Sequence, residues 1–592
     1  MSRRTNAEKK HGPKHPDGLF PLAKTGVSCK MYNKEVWDSA SWFPPGTAGT
    51  GRGQERKEYR MKLTDAGLKQ EQAWKERGVK LPCYDREEMI RRTLDQPVWV
   101  HFGAGNIFRG FIAGLQQRLL NEGLADRGII AAETFDGEII DRIYKPFDSL
   151  TLMVSLKPDG NTEREVIASL AGGLKATPAE EKDWGKLKQI FESPSLQMAS
   201  FTITEKGYAL RDMKGEYFPV VLADMKEGPE TARHAMSVVT AMMRHRYVSG
   251  AAPIALVSMD NCSHNGEKLR SSVLEIAEAW VRESFADRGF MDWISDETKV
   301  SFPWSMIDKI TPRPAPSVTR ALAEEGFEDM APVETAKHTF IAPFVNAEIP
   351  QYLVVEDRFP NGRPALEKAG VYMTDRDTVN RTERMKVTTC LNPLHTALAV
   401  FGCLLGYTLI ADEMKDPDLR RLVERIGYRE GLPVVTDPVI LSPEAFLKEV
   451  LEKRLPNPFM PDTPQRIACD TSQKVPIRFG ETIKSRMKNG TADELEGIPL
   501  AIAAWLRYLL AADDEGKPMD VSPDPMREGL QEALKGVRFG DPDSAEGVLR
   551  PILSNDVIFA VNLYETPLAE KIEKAFRGML VPGGVRKTLQ KV

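Results

Sequence analysis

The sequence predicts an α/β protein, a doubly wound sheet domain followed by a mainly α-helical C-terminal domain. Short apolar runs at Val98–Phe102, Gly128–Ala132, Met198–Thr204 and Pro253–Met259 read as strands buried on both faces. Helical patterns separate them, and this alternation builds a parallel sheet with helices on both sides. Beyond about residue 375 long amphipathic stretches take over, at Leu394–Met414, Asp416–Ile426, Pro443–Lys453 and Ile498–Ala512.

Taken in order, residues 1–60 are rich in Gly, Pro, Lys and Arg, lack any sustained period, and are expected to be a disordered extension. Residues 61–95 form a helical lead-in, with Asp85 placed to cap REEMIRRTLD. Residues 96–375 make the sheet domain and 376–592 the helical domain. A chain of 592 residues holds more than one core.

Lys and Arg total 80 against 85 Asp and Glu, a net charge of −5. No global basic field exists to hold nucleic acid or an anionic membrane, so a small-molecule partner is expected. The six cysteines are dispersed, with no C-x-x-C pair for a zinc site or redox dithiol, which fits reduced thiols in the cytoplasm. The longest apolar stretch, Leu398–Ala411, contains glycines and stops at Asp412-Glu413, short of the ~20 residues of a membrane span. The basic N-terminus leads into no secretory apolar core. Oligomeric state stays open.

Chemistry first enters at Val98-Trp-Val-His-Phe102, which runs into Gly103-Ala-Gly105-Asn106-Ile-Phe108-Arg109-Gly110 and then a helical pattern to about Glu122. Strand, glycine turn and helix make a Rossmann-like dinucleotide fingerprint. Glycines let backbone approach a pyrophosphate, and the first helical N–H groups face its charge. Phe108 stands where the third glycine of the usual pattern would be, and a lone G-x-G is equally a tight turn. The second strand ends at Glu133-Thr-Phe-Asp136, where an acid can accept ribose hydroxyls and repel a 2′-phosphate. NAD is therefore favoured over NADP. Either acid alone reads equally well as an exposed loop residue.

A second group of polar residues follows the Pro253–Met259 strand, in Asp260-Asn261-Cys-Ser-His264-Asn265-Gly266. A third is Glu383-Arg-Met-Lys386-Val-Thr-Thr-Cys-Leu-Asn392-Pro-Leu-His395. Lysine, amide and imidazole close together supply a proton donor and polar contacts, with no metal-ligand cluster.

Together GAGNIFRG, SFTITEKGY, SMDNCSHNG, FPWSMIDKITP, ERMKVTTCLNPLHTALA and IACDTSQKVPIR resemble, in order, the long-chain mannitol dehydrogenase family over roughly residues 96–590. Members interconvert polyols or sugar acids with their keto forms using a nicotinamide cofactor and no metal. Within the family the sequence is most similar to the D-mannonate oxidoreductase (fructuronate reductase) branch. The resemblance implies that Lys386 is the general acid/base, Asn261 and Asn392 form an oxyanion hole, and Glu383 relays protons. It also implies that His395, Arg466, Lys474 and Asp308 hold substrate hydroxyls or carboxylate. Thr204 and Glu205, with Gly103, Gly105, Asn106, Phe108, Arg109, Glu133 and Asp136, would line the cofactor. The implied reaction is D-fructuronate with NADH to D-mannonate with NAD. Tagaturonate reduction or mannitol/hexitol 2-dehydrogenation is the alternative, and a non-catalytic NAD-binding sensor is the rival class.

The chemistry suits these residue types. Hydride transfer to a carbonyl leaves negative charge on oxygen, which amide donors stabilise and an ammonium protonates. An ordinary lysine titrates near ~10.4, so this role asks for burial or neighbouring cations. Read singly, Glu383 is a helical ion-pair partner, His395 a core histidine, Asp308 a cap, and Arg466 and Lys474 surface cations. One departure stands out. Five residues, Val387 to Leu391, separate the lysine from the asparagine, where relatives have four. On an α-helix the extra residue rotates Lys386 by about 100° relative to Asn392. A π-bulge, or a fresh helix opened by Pro393 with Asn392 as its cap, would absorb it.

Overall fold

The computed structural model of the chain describes residues 60–592 except 213 and 461. The expected extension over residues 1–60 therefore lies, apart from Arg60, outside the described residues. Six strands form one sheet, in the order Leu170–Lys175, Ile129–Glu133, Trp99–Phe102, Met198–Phe201, Ile254–Ser258 and Val300–Ser301. Every pairing is parallel. By sequence the order is 3-2-1-4-5-6, the doubly wound arrangement whose crevice opens between the paired strands one and four, where the strand order reverses.

The pleat explains the continuous apolar runs. Val100, Phe102, Ile130, Ala132, Ala199, Phe201, Ile254 and Leu256 pack into the core on one face. Their neighbours Trp99, Ile129, Ala131, Met198, Ala255 and Val257 pack into a separate core on the other. A strand covered on both sides has no polar alternation to show.

Sheet structure extends beyond the strands read from sequence. Thr151–Leu156, Thr162–Ile167 and Phe344–Glu348 form a second sheet, joined at one edge by Val79–Lys80 from the region between residues 61 and 95. Ser305–Asp308 pairs antiparallel with Tyr352–Glu356, which pairs parallel with Tyr372–Thr374. These short strands carry the first lobe up to the helical one.

The helical lobe is built around helices Asn392–Leu405 and Gly497–Tyr508, both nearly all buried. A helix enclosed by other helices is apolar all round. The stretch Arg376–Leu405 is long and apolar enough to cross a membrane, but 83% of its most apolar window is buried inside the protein.

The extra residue after Lys386 is absorbed locally. Helix Arg376–Met385, capped by Asp375, continues as a π-turn over Lys386–Cys390. Leu391 then breaks it at φ −127°, ψ −60°, and a new helix starts at Asn392 with Pro393 in its first turn. Both expected devices occur, with the correction that Leu391, not Asn392, occupies the cap position.

Candidate active site

At the crest of the parallel sheet, Gly103 adopts φ +103°, and a β-carbon there would stand 2.2 Å from the carbonyl of Thr202. Only glycine fits this turn. A β-carbon on Gly105 would meet nothing within 4 Å, so this residue borders open space where a ligand can approach backbone. Gly110 supplies close packing instead of a third fingerprint glycine, because its β-carbon would press on Val345 at 2.8 Å. Phe108 is buried and stacks on His101, with ring centroids 3.9 Å apart. His101 is fixed from both ring nitrogens, to Ser200 Oγ at 2.6 Å and Thr202 Oγ1 at 2.8 Å. The aromatic departure from the fingerprint thus braces the turn.

Arg109 is buried and donates to Asn106 Oδ1 and the Ala342 carbonyl, each at 2.9 Å. Its Nε and Nη1 are buried without a partner among the described residues. Burial pulls the guanidinium down to about 10, so it is still cationic at neutral pH. An uncompensated cation in the first turn of a helix behind a glycine bend suits a phosphate group. The residues present therefore fit a dinucleotide.

Glu133 faces inward. One carboxylate oxygen accepts from Ala104 N at 2.7 Å, the other from Phe135 N at 2.7 Å and Asp136 N at 3.1 Å. It ties the glycine turn to the next strand end. Asp136 is buried and accepts from Thr335 Oγ1 at 2.6 Å. Glu133 lines a cavity with Phe135, Gly137 and Lys175 that Asp136 does not border, and both acids have part of their accepting capacity engaged by the protein. Thr204 is exposed at φ +64°, and its N–H and that of Ile203 are held by Asp260 at 2.9 and 2.8 Å. Glu205 is exposed and pairs with Lys268.

The helical lobe delivers Lys386 to this crest. Its side chain is 4% exposed, with Nζ 3.0 Å from Asp308 Oδ1. Nζ also donates to Asn261 Oδ1 and the Ile307 carbonyl, both at 3.1 Å. Three separate parts of the sequence thus converge on one nitrogen. Asn261 is exposed, and its amide nitrogen has no partner among the described residues. Asn392 is partly exposed in the first turn of its helix. Glu383 is partly buried, and its carboxylate makes no hydrogen bond or ion pair among the described residues.

Asp308 is shared. Its other oxygen takes Arg454, which also binds Glu348 at 2.7 Å, all of these side chains being buried. Burial alone would raise the Asp308 carboxyl, but Lys386 and Arg454 outweigh it and hold it below the usual range. Sequence reading missed Arg454 and Glu348. Glu348 ends an apolar strand and Arg454 sits in the ordinary charged run Glu452-Lys453-Arg454, and only the fold brings them together.

The remaining polar residues gather near His395. Burial, helped by Arg478, Arg466 and Arg454, pushes His395 down to about 4 against the pull of Asp462, so the ring is neutral at pH 7. Its Nε2 lies 3.5 Å from Asp462 Oδ2 and has no hydrogen bond among the described residues. Arg466, expected to touch substrate, is 62% exposed and paired with Asp462. Lys474 is tied to the carbonyls of Ile467, at 3.0 Å, and Cys469. No group of His, Cys, Asp and Glu among the described residues is arranged to hold a metal ion.

A doubly wound dinucleotide fold, with a buried lysine and an amide meeting where a helical lobe closes on the sheet crest, defines a two-lobed oxidoreductase. Residues 97–368 match the mannitol dehydrogenase Rossmann domain and residues 378–580 the mannitol dehydrogenase C-terminal domain. The chain belongs to the mannitol dehydrogenase family. It is 54% identical to the D-mannonate oxidoreductase of Thermotoga maritima over 90% of this chain and 99% of that protein. Among solved structures, D-sorbitol dehydrogenase in substrate-free form matches with TM-score 0.73 and 26% identity, over 86% of this chain and 97% of that one. The Pseudomonas fluorescens mannitol 2-dehydrogenase, in ternary complex with NAD and D-mannitol, matches with TM-score 0.66 and 27% identity, over 90% and 99%.

Proposed function

We propose that the chain interconverts a keto-hexuronate and its alcohol with NAD, in the direction D-fructuronate to D-mannonate when NADH is supplied, and with Lys386 as general acid/base. Two relationships support the substrate and cofactor: the T. maritima relative is named for D-mannonate, and the solved mannitol 2-dehydrogenase holds NAD. The observation that carries the reading is the Lys386 ammonium, buried against Asn261 and Asp308 at the lobe junction.

Gly103 and Gly105, with the helix behind them and Arg109, would hold the pyrophosphate. When bound, the nicotinamide supplies or accepts the hydride. The chain's own residues handle oxygen and proton. The free amide N–H of Asn261, with that of Asn392, donates to the substrate oxygen as charge grows there, an interaction worth about 3 kcal/mol when preorganised. Lys386 passes a proton to that oxygen in reduction and removes it in oxidation.

An ammonium has three N–H donors and here three acceptors: Asn261, Ile307 and Asp308. The neutral amine keeps two donors and a lone pair, so one contact must yield during each cycle. The Asn261 contact, made to an exposed side chain, is the one able to yield. Glu383, three residues earlier and unengaged among the described residues, would exchange protons with solvent. Neutral His395 can bond a substrate hydroxyl through its unpartnered Nε2.

Initial rates with D-fructuronate, D-tagaturonate, D-fructose and D-mannitol, each with NAD(H) and NADP(H), test the proposal. The expected result is a clear preference for fructuronate with NADH. Turnover confined to uncharged hexitols would overturn the substrate assignment. Lys386→Ala should lower kcat by ~10² to 10⁴-fold while NADH still binds, and unchanged turnover would remove the lysine from the mechanism.

A further inference from the structure

We infer that Arg478, backed by Lys474, is the carboxylate-binding residue that gives this site its selectivity for a sugar acid over a polyol. The inference rests on the proposed reaction. Arg478 is the last residue of IACDTSQKVPIR, a motif in which the resemblance gave a substrate role to Lys474 and none to Arg478.

The charges around His395 do not balance. Arg454 is neutralised by Asp308 and Glu348, and Arg466 by Asp462. Arg478 forms no salt bridge among the described residues. Its one hydrogen bond among them runs from Nη1 to Thr396 Oγ1 at 2.7 Å, which leaves the rest of the guanidinium fork open. Among the described residues Lys474 donates only to backbone carbonyls. Burial draws Arg478 down to about 10, and the nearby Arg478 in turn helps lower Lys474, whose own burial is the larger cause. Two cations are thus held together, partly desolvated, with no ion-paired acid among the described residues, Asp470 acting on Lys474 without a salt bridge. Such an arrangement costs stability unless an anionic ligand completes it. A guanidinium with its fork open grips a carboxylate by two parallel hydrogen bonds.

Position fits the substrate. Arg478 lies on the π-turn Pro476–Gly480, which packs against the π-turn carrying Lys386. It is pinned to Thr396, one helical turn after Asn392. That turn spans about 6 Å. In D-fructuronate the ketone and carboxylate carbons are four bonds apart, about 5 Å in an extended chain of ~1.5 Å bonds. An oxygen at Asn392 therefore places the carboxylate within reach of Arg478. A hexitol presents only a neutral hydroxyl there.

The test compares kcat/KM for D-fructuronate and D-fructose, with saturating NADH, in wild type, Arg478→Met and Arg478→Lys. Arg478→Met should lose at least about 30-fold more on fructuronate than on fructose, mainly through KM, as expected when one partner of a buried charge pair is removed. Arg478→Lys should recover part of that loss, since it restores charge but not the fork. Equal losses on both substrates, or no loss on fructuronate, would overturn the inference while leaving the proposed reaction standing. A wild type that handles fructuronate no better than fructose would overturn both. Should Arg478→Met fail to fold, Arg478→Lys decides by the same comparison: a larger loss on fructuronate supports the inference, and equal losses overturn it.

Discussion

Asp308 stands between Lys386, 3.0 Å from its Oδ1, and Arg454, which takes its other oxygen. The aspartate belongs to the strand Ser305–Asp308 of the first lobe, and both cations come from the helical lobe. The pairing therefore fixes the Lys386 amine and docks one lobe on the other.

Arg454 is the keystone of that pairing. Arg454→Met would leave Asp308 and Glu348 buried with lost partners, which costs about 3–5 kcal/mol when a buried pair is broken. Urea unfolding of the variant should show a loss of that size. Because Lys386 still faces Asp308, kcat should fall less than in Lys386→Ala. A loss of stability below about 1 kcal/mol would show that the network is not what holds the lobes together.

The two fingerprint glycines should fail differently. Gly103→Ala forces a side chain into a left-handed backbone and against the Thr202 carbonyl, so it should lower the melting temperature. Gly105→Val places its side chain in open space, so thermal stability should hold while NADH affinity falls at least ~10-fold, read by fluorescence titration.

His395 imposes a pH dependence on stability. Its folded value of about 4 lies below the ordinary imidazole value of 6.5. Between these limits the unfolded chain binds the extra proton and the folded chain does not, so stability is complete above pH 6.5 and lost as pH falls toward 4. The shift corresponds to up to about 3 kcal/mol. In His395→Gln, denaturation curves from about pH 7 down to about pH 4.5 should flatten by an amount of that order.

Glu413 works in the opposite sense. It is fully buried, neither carboxylate oxygen has a partner among the described residues, and burial raises its carboxyl well above the usual range. Stability is then greatest below the unfolded value near 4.5 and declines as pH rises toward the folded one. Glu413→Met removes the penalty. It should stabilise by about 1–3 kcal/mol at about pH 8 and by less at about pH 4.5.

Particular residues show how far the sequence could be read. Val98–Phe102 and its companion runs announced a parallel sheet because strands buried on both faces need apolar residues at every position. Lys386, Asn261 and Asp308 belong to three separate motifs and meet at one ammonium, while Asn392 shares the motif of Lys386. Arg454 and Glu348 gave no comparable signal, and Arg478, though it ends IACDTSQKVPIR, carried no role there. A single charged residue in a helix pattern looks the same whether it faces water or is buried against an acid.

The alternation of strands and helices in the parallel sheet and the glycine turn follow from local pattern, since backbone geometry and side-chain period act over a few neighbouring positions. Which charges are neutralised and which are left waiting was decided by tertiary structure. Pairing across 79 residues between Ile307 and Lys386, or 146 between Asp308 and Arg454, depends on how whole lobes pack, and no short stretch of chain encodes that.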